Sequence, residues 1–199
     1  LFEHGDAQAV YRIYDDLFKK HDDALRGKDR AEALYHLGES ARRSGEFAAA
    51  VAPLREAIKL DPRDPRALRS LARIYDETGD WEEAISMRKK RLEVVEAADR
   101  FDIYLEIGDI EFQKLSDRVR AEKTYAKALQ ERPDDRKLLT KLMQLYSEEK
   151  DWAKLVSVVT RLAEFVDDQK QRAKYMHTAA TIAARHLNQE VKALEFLEK

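Results

Sequence analysis

Cysteine is absent from this sequence, glycine and proline are scarce, and no long apolar run occurs. Without cysteine, a disulfide framework and a thiolate zinc site are both excluded. A helix that spans a bilayer needs about 18 consecutive apolar residues, and no run approaches that length, so we expect no membrane insertion. These absences leave the compartment open, and of the alternatives we favour the cytoplasm.

The sequence also lacks the motifs of common catalytic and cofactor sites. The six glycines are isolated, so they form no phosphate-binding loop. None of the five histidines belongs to a His-Glu-x-x-His zinc pattern or a close pair. Paired acids such as Asp134 and Asp135 are expected at helix ends, where they act as caps. We therefore expect no enzyme activity, cofactor, metal or small-molecule substrate.

Charged residues, by contrast, are abundant, at 38% of the chain. This content is typical of long solvated helices and argues against disorder. The formal net charge of -2 gives no overall attraction to phosphate, so nucleic acid is a disfavoured partner. A local basic set nevertheless keeps weak nucleic-acid binding as an alternative. It consists of Arg42, Arg43, Arg66, Arg69 and Arg73.

Residues 31–65 read as two helices that fold back on one another and end in a proline turn. The first, at 31–44, repeats apolar or small residues every three or four positions, which places them on one stripe. Gly45 ends it, because glycine adopts the left-handed conformation of a C-terminal cap at little cost. The second helix is predicted at 47–60, with Pro53 inside it removing one hydrogen bond.

The same pattern returns after about 34 residues. Two short amphipathic helices cannot bury both apolar stripes alone, so such pairs need neighbours of the same kind. Trp81 and Trp152 each begin a predicted second helix and are expected to lie wedged between successive pairs. The shift places Leu68, Leu71, Ala72 and Tyr75 on Leu34, Leu37, Gly38 and Ala41.

Two stretches carry a family resemblance: Gly-Asp-Trp-Glu-Glu-Ala-Ile at 79–85 and Lys-Leu-Asp-Pro at 59–62. Together with the recurring Leu-Gly or Leu-Ala pairs, they resemble the tetratricopeptide repeat (TPR) over about residues 31–199. The resemblance implies an all-α fold, a right-handed α-α superhelical solenoid of antiparallel helix pairs with about five units and truncated ends.

The repeats define a single solenoid over residues 1–199. We expect it to be a piece of a larger, bacterial-type protein, because both ends fall inside predicted helix pairs. The predicted units are a partial one at 1–30 with a long second helix, four at 31–64, 65–100, 101–135 and 136–172, and an incomplete one at 173–199.

Several positions depart from the repeat. The third unit has no glycine in its turn at 115–118, and the fourth has Leu155 where a small alanine belongs, which predicts looser packing there. We also expect second helices that run on at 94–98 and 165–168. The first unit is expected to have a longer second helix or a loop at 26–29.

The resemblance further implies that the first helix of each pair lines a concave groove. Residues between the core positions of these helices are basic, then acidic, then basic along the chain, with Tyr35, Leu105 and Phe112 as apolar anchors. We predict a non-catalytic scaffold that binds a peptide or protein segment in this groove. The candidate residues are Tyr35, His36, Glu39, Arg42, Arg66, Arg69, Arg73, Asp102, Leu105, Glu106, Asp109, Phe112, Lys137, Lys141 and His177.

Three alternatives to this interpretation stay open. Charges on adjacent first helices could simply pair with one another, each pair contributing about 0–1 kcal/mol at an exposed surface. A terminal carboxylate, the ligand of chaperone-binding family members, fits less well because Glu106 stands where a neutral amide is needed. The third is a structural role, self-association into a homo-oligomer through apolar residues of the terminal units. These are Phe2, Tyr14, Phe196 and Leu197.

Overall fold

A computed structural model describes residues 7–21 and 25–198, and within these ranges every regular element is an α-helix. The all-α fold of paired helices predicted from the repeats is therefore confirmed. The chain divides after Asp99 into two compact units, which are described separately below. A single continuous solenoid over residues 1–199 stays a prediction, and Phe2 lies outside the described residues.

Unit 1 is a run of helices in which each packs on the next. Turns of two to four residues join the last four helices, so successive helices run antiparallel. The first helices of two neighbouring pairs, α2 and α4, also contact one another. The helices are α1 (Ala7–His21), α2 (Gly27–Arg43), α3 (Phe47–Leu60), α4 (Pro65–Thr78) and α5 (Trp81–Leu92).

Repeated turn chemistry sets the helix ends of unit 1. Gly45 and Gly79 follow α2 and α4 with φ of 81° each, the left-handed conformation that glycine adopts most easily. The Asp64 side chain caps α4 by accepting a hydrogen bond from the Arg66 backbone N–H at 2.9 Å, and Pro65 begins the helix. Helix α3 is continuous across Pro53 and has the predicted bounds.

Unit 2 repeats the arrangement with a different turn chemistry. Where its turns have no glycine, Ser116, Lys150 and Asn188 adopt positive φ of 54–57° instead. The missing glycine at 115–118 is therefore replaced by Ser116. Its helices are α6 (Ala97–Gln113), which enters the unit at Arg100, α7 (Arg118–Glu131), α8 (Arg136–Glu149), α9 (Trp152–Glu164), α10 (Gln169–His186) and α11 (Glu190–Leu197).

Two helical glycines lie where paired helices approach one another closely. A Cβ placed on Gly38 would lie 2.5 Å from Cγ of Leu54, and one on Gly108 would lie 2.4 Å from Cε1 of Tyr125. Leu54 and Tyr125 are themselves fully buried. The Leu-Gly pair of the repeat is thus explained by the space that the partner helix occupies.

Three predicted helix boundaries are wrong. Helix α5 ends at Leu92 and α6 begins at Ala97, so no second helix continues through 94–98. Backbone bonds from Val94 and Val95 to the Arg91 carbonyl close this turn. Helix α9 likewise ends at Glu164, before 165–168. Residues 27–29, assigned in part to a loop, form the first turn of α2, where Asp29 interacts favourably with the helix dipole.

The core of unit 2 accommodates Leu155, which is buried among α7, α8 and α9 residues. A cavity of about 170 Å³ lies nearby, lined by Tyr146 of α8 and Val158 of α9 among others. Trp152, which begins α9, is half-buried and stacks on His186 of α10 with ring centroids 4.1 Å apart. The predicted position of this tryptophan between successive helix pairs is confirmed within unit 2.

Candidate protein-binding surfaces

In unit 1, seven of the predicted groove residues lie on two helices that contact one another. Helix α2 contributes four of them and α4 the other three, so the first helices of two pairs form one surface. We call it the α2–α4 face. Its members are Tyr35, His36, Glu39, Arg42, Arg66, Arg69 and Arg73.

Arg66 is the centre of an ion-pair network on this face. Its guanidinium donates to both carboxylate oxygens of Asp64 and, in a two-point contact, to Glu32 of α2. The same group lies over the Tyr35 ring, 4.6 Å from the centroid. Hydrogen bonding from Arg66 lowers the pKa of Glu32, against a smaller opposing effect of burial. The Arg66 guanidinium and the Tyr35 ring therefore already contact side chains of unit 1.

Glu39 joins α2 to α4 more closely. It accepts two hydrogen bonds from the Arg42 guanidinium, at 2.7 and 2.8 Å, and one from the Ser70 hydroxyl at 2.7 Å. Burial raises the pKa of the Glu39 carboxyl, but the bonds from Arg42 and Ser70, together with the positive charges of Arg42 and Arg73, outweigh burial and lower that pKa below its ordinary value. Ser70 is buried, so this contact fixes the spacing of the two helices.

His36 connects the α2–α4 face to α1. Its ring stacks on Tyr14 with centroids 5.4 Å apart and contacts Tyr35 at 5.2 Å. Its Nε2 lies 3.0 Å from a Glu32 oxygen. Tyr14 was expected among the exposed apolar residues of the chain ends, but this stacking leaves it half-buried, and it is a weak candidate for self-association.

Arg69 and Arg73 differ from the other cations of this face. They lie one turn apart on the exposed side of α4, and neither forms a hydrogen bond or an ion pair within the described residues. The guanidiniums of Arg42 and Arg66, in contrast, are neutralised by carboxylates beside them. The α2–α4 face therefore presents two available guanidiniums above a network that holds its helices together.

In unit 2, Asp109 of α6 connects three helices. It accepts a hydrogen bond from the Tyr125 hydroxyl of α7 at 2.7 Å and lies 2.8 Å from Nζ of Lys141 on α8. Burial and the Asp109 bond raise the pKa of Tyr125. The alternative that charges on adjacent first helices pair with one another is thus correct for Asp109 and Lys141.

The other predicted residues of unit 2 differ in their availability. Phe112 is only 9% exposed and packs in the hydrophobic core, so it offers no anchor to a ligand. Leu105 is half-buried against the same core, and Asp102 lies 3.8 Å from the Arg132 guanidinium. The remaining three are exposed, and of these Lys137 has no ion pair within the described residues. They are Glu106, Lys137 and His177.

Three buried charges, Arg88, Arg91 and Glu111, were missed by the sequence interpretation. Arg88 of α5 is held by Asp76, which accepts two hydrogen bonds at 2.6 and 3.0 Å. Glu111 of α6 accepts from Thr124 at 2.6 Å and from Arg120 at 3.3 Å. The burial of Arg88 could have been predicted from its position. It follows the core residues Ala84 and Ile85 by four and three places and therefore lies on the same side of the helix.

The helix pairs, their turn chemistry and the close contacts at glycine agree with the comparison to protein families. Models of the tetratricopeptide repeat match residues 4–65, 35–86 and 63–199. The chain belongs to the tetratricopeptide-repeat family. As the family resemblance implies, its fold is that of a protein-interaction scaffold.

Solved TPR structures share the fold at low sequence identity. YrrB, described as a TPR protein with an unusual peptide-binding site, is 18% identical, with a TM-score of 0.56, covering 94% of this chain and 90% of its own. MamA from Desulfovibrio magneticus RS-1 is 17% identical, with a TM-score of 0.55 and coverage of 87% and 94%. The Naa15/Naa10 complex bound to HypK-THB gives 16% identity and a TM-score of 0.69, covering 98% of this chain and 29% of that one.

No curated protein matches the sequence. Among the described residues, no cluster of three or more His, Asp or Glu side chains could hold a metal ion. None of the helices described here is long and apolar enough to cross a membrane.

Proposed function

We propose that this TPR chain is a non-catalytic scaffold that binds an acidic peptide segment of a protein partner through its first helices. The observation that carries the proposal is the pair of exposed guanidiniums, Arg69 and Arg73, without an ion pair beside a network whose other cations are neutralised. YrrB, a structural relative with a described peptide-binding site, supports this use of the fold.

The chemistry of the α2–α4 face favours a carboxylate ligand. Side chains four residues apart on a helix lie about 6 Å from each other, so Arg69 and Arg73 can contact two acids of one segment. Guanidiniums bind carboxylates through paired hydrogen bonds, which fix orientation as well as charge. Since Glu39 and Asp64 already neutralise Arg42 and Arg66, an incoming acid meets an excess of positive charge at the outer pair.

The double variant Arg69→Gln, Arg73→Gln tests the proposal. Random peptides on the order of 12 residues are selected on the wild-type chain, and enriched sequences should carry at least two acids. We expect the double variant to bind them at least about tenfold more weakly, because two charge-assisted contacts are lost. Fluorescence anisotropy with the enriched peptides measures the change.

A matched variant is available on α5 of the same unit. Lys89 and Lys90 are exposed on a second helix, so Lys89→Gln with Lys90→Gln removes the same charge from a different face. We expect this variant to bind as the wild type does. Equal weakening by both double variants, or enriched peptides without acids, would contradict the proposal. Binding of nucleic acid that falls steeply with salt would instead support the alternative partner class.

A further inference from the structure

The cavity of about 170 Å³ in unit 2 lies among α7, α8 and α9, and all of its described lining residues belong to these three helices. Leu139 and Leu142 of α8 are buried and form its floor together with Val158 of α9. Lys154 and Ser157 of α9 are exposed and lie at its opening. The cavity therefore has an apolar interior that is open to solvent beside α9, and we call it the α7–α9 cavity.

The pair formed by α8 and α9 has two large side chains where the other described pairs have small ones. Met143 stands at the glycine or alanine position of a first helix and Leu155 at the alanine position of a second helix, and both pack in the hydrophobic core. The distance between packed helices grows with the side chains at their contact, so these two residues favour a wider spacing and space beside α9. The corresponding residues of the other pairs are Gly38, Ala72, Gly108 and Ala180 in first helices and Ala50, Ala84, Ala121 and Ala193 in second helices.

The two cations that line the α7–α9 cavity are already neutralised. Nζ of Lys154 lies 2.6 Å from a Glu122 oxygen of α7, and the Arg161 guanidinium donates to Asp134 at 2.7 Å. The Tyr146 hydroxyl, on another lining residue, donates to Glu122 at 3.3 Å. An ionised ligand would lose water here without gaining an unpaired charge in return, so the cavity favours an uncharged group.

We propose that the α7–α9 cavity binds one uncharged aromatic side chain, phenylalanine or tyrosine, presented by a partner protein. An apolar cavity of about 150 Å³ accommodates a benzene molecule, so the volume here fits a single six-membered ring. Sites for free small molecules are usually larger, about 300–1,000 Å³, whereas single aromatic residues seated in pockets commonly anchor protein interfaces. This site lies in unit 2 and does not depend on Arg69 or Arg73.

Three small probes test the chemistry of the site. Phenol has the ring and hydroxyl of tyrosine, capped tyrosine (N-acetyl-tyrosine methylamide) adds the backbone of a partner, and benzoate adds a negative charge. We expect phenol and capped tyrosine to shift the methyl NMR signals of Leu139, Leu142 and Val158 in the isotope-labelled chain, with dissociation constants on the order of 1 mM. Benzoate should bind at least about tenfold more weakly, because its carboxylate is desolvated without a free partner.

Ser157→Phe places a ring of the chain itself at the opening and should weaken phenol binding at least about tenfold. Ser86 of α5 provides the control, since it is exposed and, like Ser157, lies five residues after the tryptophan that begins its helix. Ser86→Phe should leave the affinity for phenol unchanged. Circular dichroism checks the helicity of each variant, and Ser157→Leu replaces Ser157→Phe if that variant loses helix content.

Phenol binding that Ser157→Phe leaves unchanged, or benzoate binding as tight as that of phenol, would overturn the proposal. So would binding of phenol without capped tyrosine, because the opening would then exclude a ring attached to a backbone and the cavity would suit a free small molecule. Unchanged phenol binding to the Arg69→Gln, Arg73→Gln variant is expected, and it separates this site from the α2–α4 face.

Discussion

Replacing Asp76 with alanine is expected to lower the free energy of unfolding of unit 1 by about 3 kcal/mol. The Arg88 side chain is only 8% exposed, and Asp76 accepts two of its hydrogen bonds. Without the carboxylate, a guanidinium that cannot lose its proton remains in a site largely shielded from water. Removing one partner of a buried charge pair costs more than the pair itself contributes, because the remaining charge loses the carboxylate that holds it.

The reverse substitution should cost much less. In Arg88→Met, the remaining Asp76 is 29% exposed and can be hydrated, so we expect a loss of about 1 kcal/mol. The double variant Asp76→Ala, Arg88→Met should recover most of the stability lost in Asp76→Ala, because no buried charge is left. Glu77→Ala, a substitution of an exposed acid on the same helix, should change stability by less than about 0.5 kcal/mol.

Urea unfolding followed by tryptophan fluorescence measures these changes. The chain has two tryptophans, Trp81 in unit 1 and Trp152 in unit 2. In a Trp152→Phe background, the signal of Trp81 therefore reports unit 1 alone. Similar losses in Asp76→Ala and Arg88→Met, with no recovery in the double variant, would show that the two side chains act independently.

The pairing of Asp76 with Arg88 could not be predicted from the sequence. Asp76 lies near the end of a first helix, α4. Its actual partner lies twelve residues further on, in the second helix of the pair, and only the helix crossing brings the two together. Periodicity predicts the side of a helix on which a residue lies. The ion-pair partner of a long side chain depends in addition on how neighbouring helices pack, which periodicity does not predict.

Helix bounds were predicted accurately where residues that start or stop a helix occur in the sequence. The second helix at 47–60 was predicted with both bounds because glycine, a small-residue stripe and an Asp-Pro stop act within a few residues. The failed boundaries, at 94–98 and 165–168, lack glycine and proline, so the sequence contained no marker for the turn. Phe112 failed differently, since it was assigned to the exposed side of α6 but packs in the hydrophobic core.

The candidate surfaces were predicted only in part. The residues of the α2–α4 face lie on two helices in contact, but the sequence could not separate neutralised cations from available ones. Arg66 and Arg69 are both arginines at predicted groove positions of α4. In the structure, Glu32 and Asp64 bind Arg66 and not Arg69.

Gly108→Ala is expected to lower the free energy of unfolding of unit 2 by about 2 kcal/mol, although alanine is the better helix former by about 1 kcal/mol. The added Cβ would lie 2.4 Å from Cε1 and 2.6 Å from Cδ1 of Tyr125. This ring is fully buried, and its hydroxyl donates to Asp109 at 2.7 Å, so it is anchored at both ends. The two helices must therefore separate.

The measurement follows Trp152 fluorescence during urea unfolding in a Trp81→Phe background. Gly45→Ala is the control in unit 1, followed by Trp81 fluorescence in the Trp152→Phe background, because no heavy atom beyond its chain neighbours lies within 4 Å of the position its Cβ would take. It should cost about 1 kcal/mol, from the left-handed backbone alone. A Gly108→Ala variant as stable as the wild type would mean that helix propensity offsets the clash. A clear loss would show that close contact with Tyr125, and not backbone flexibility, is why glycine stands at this position of the repeat.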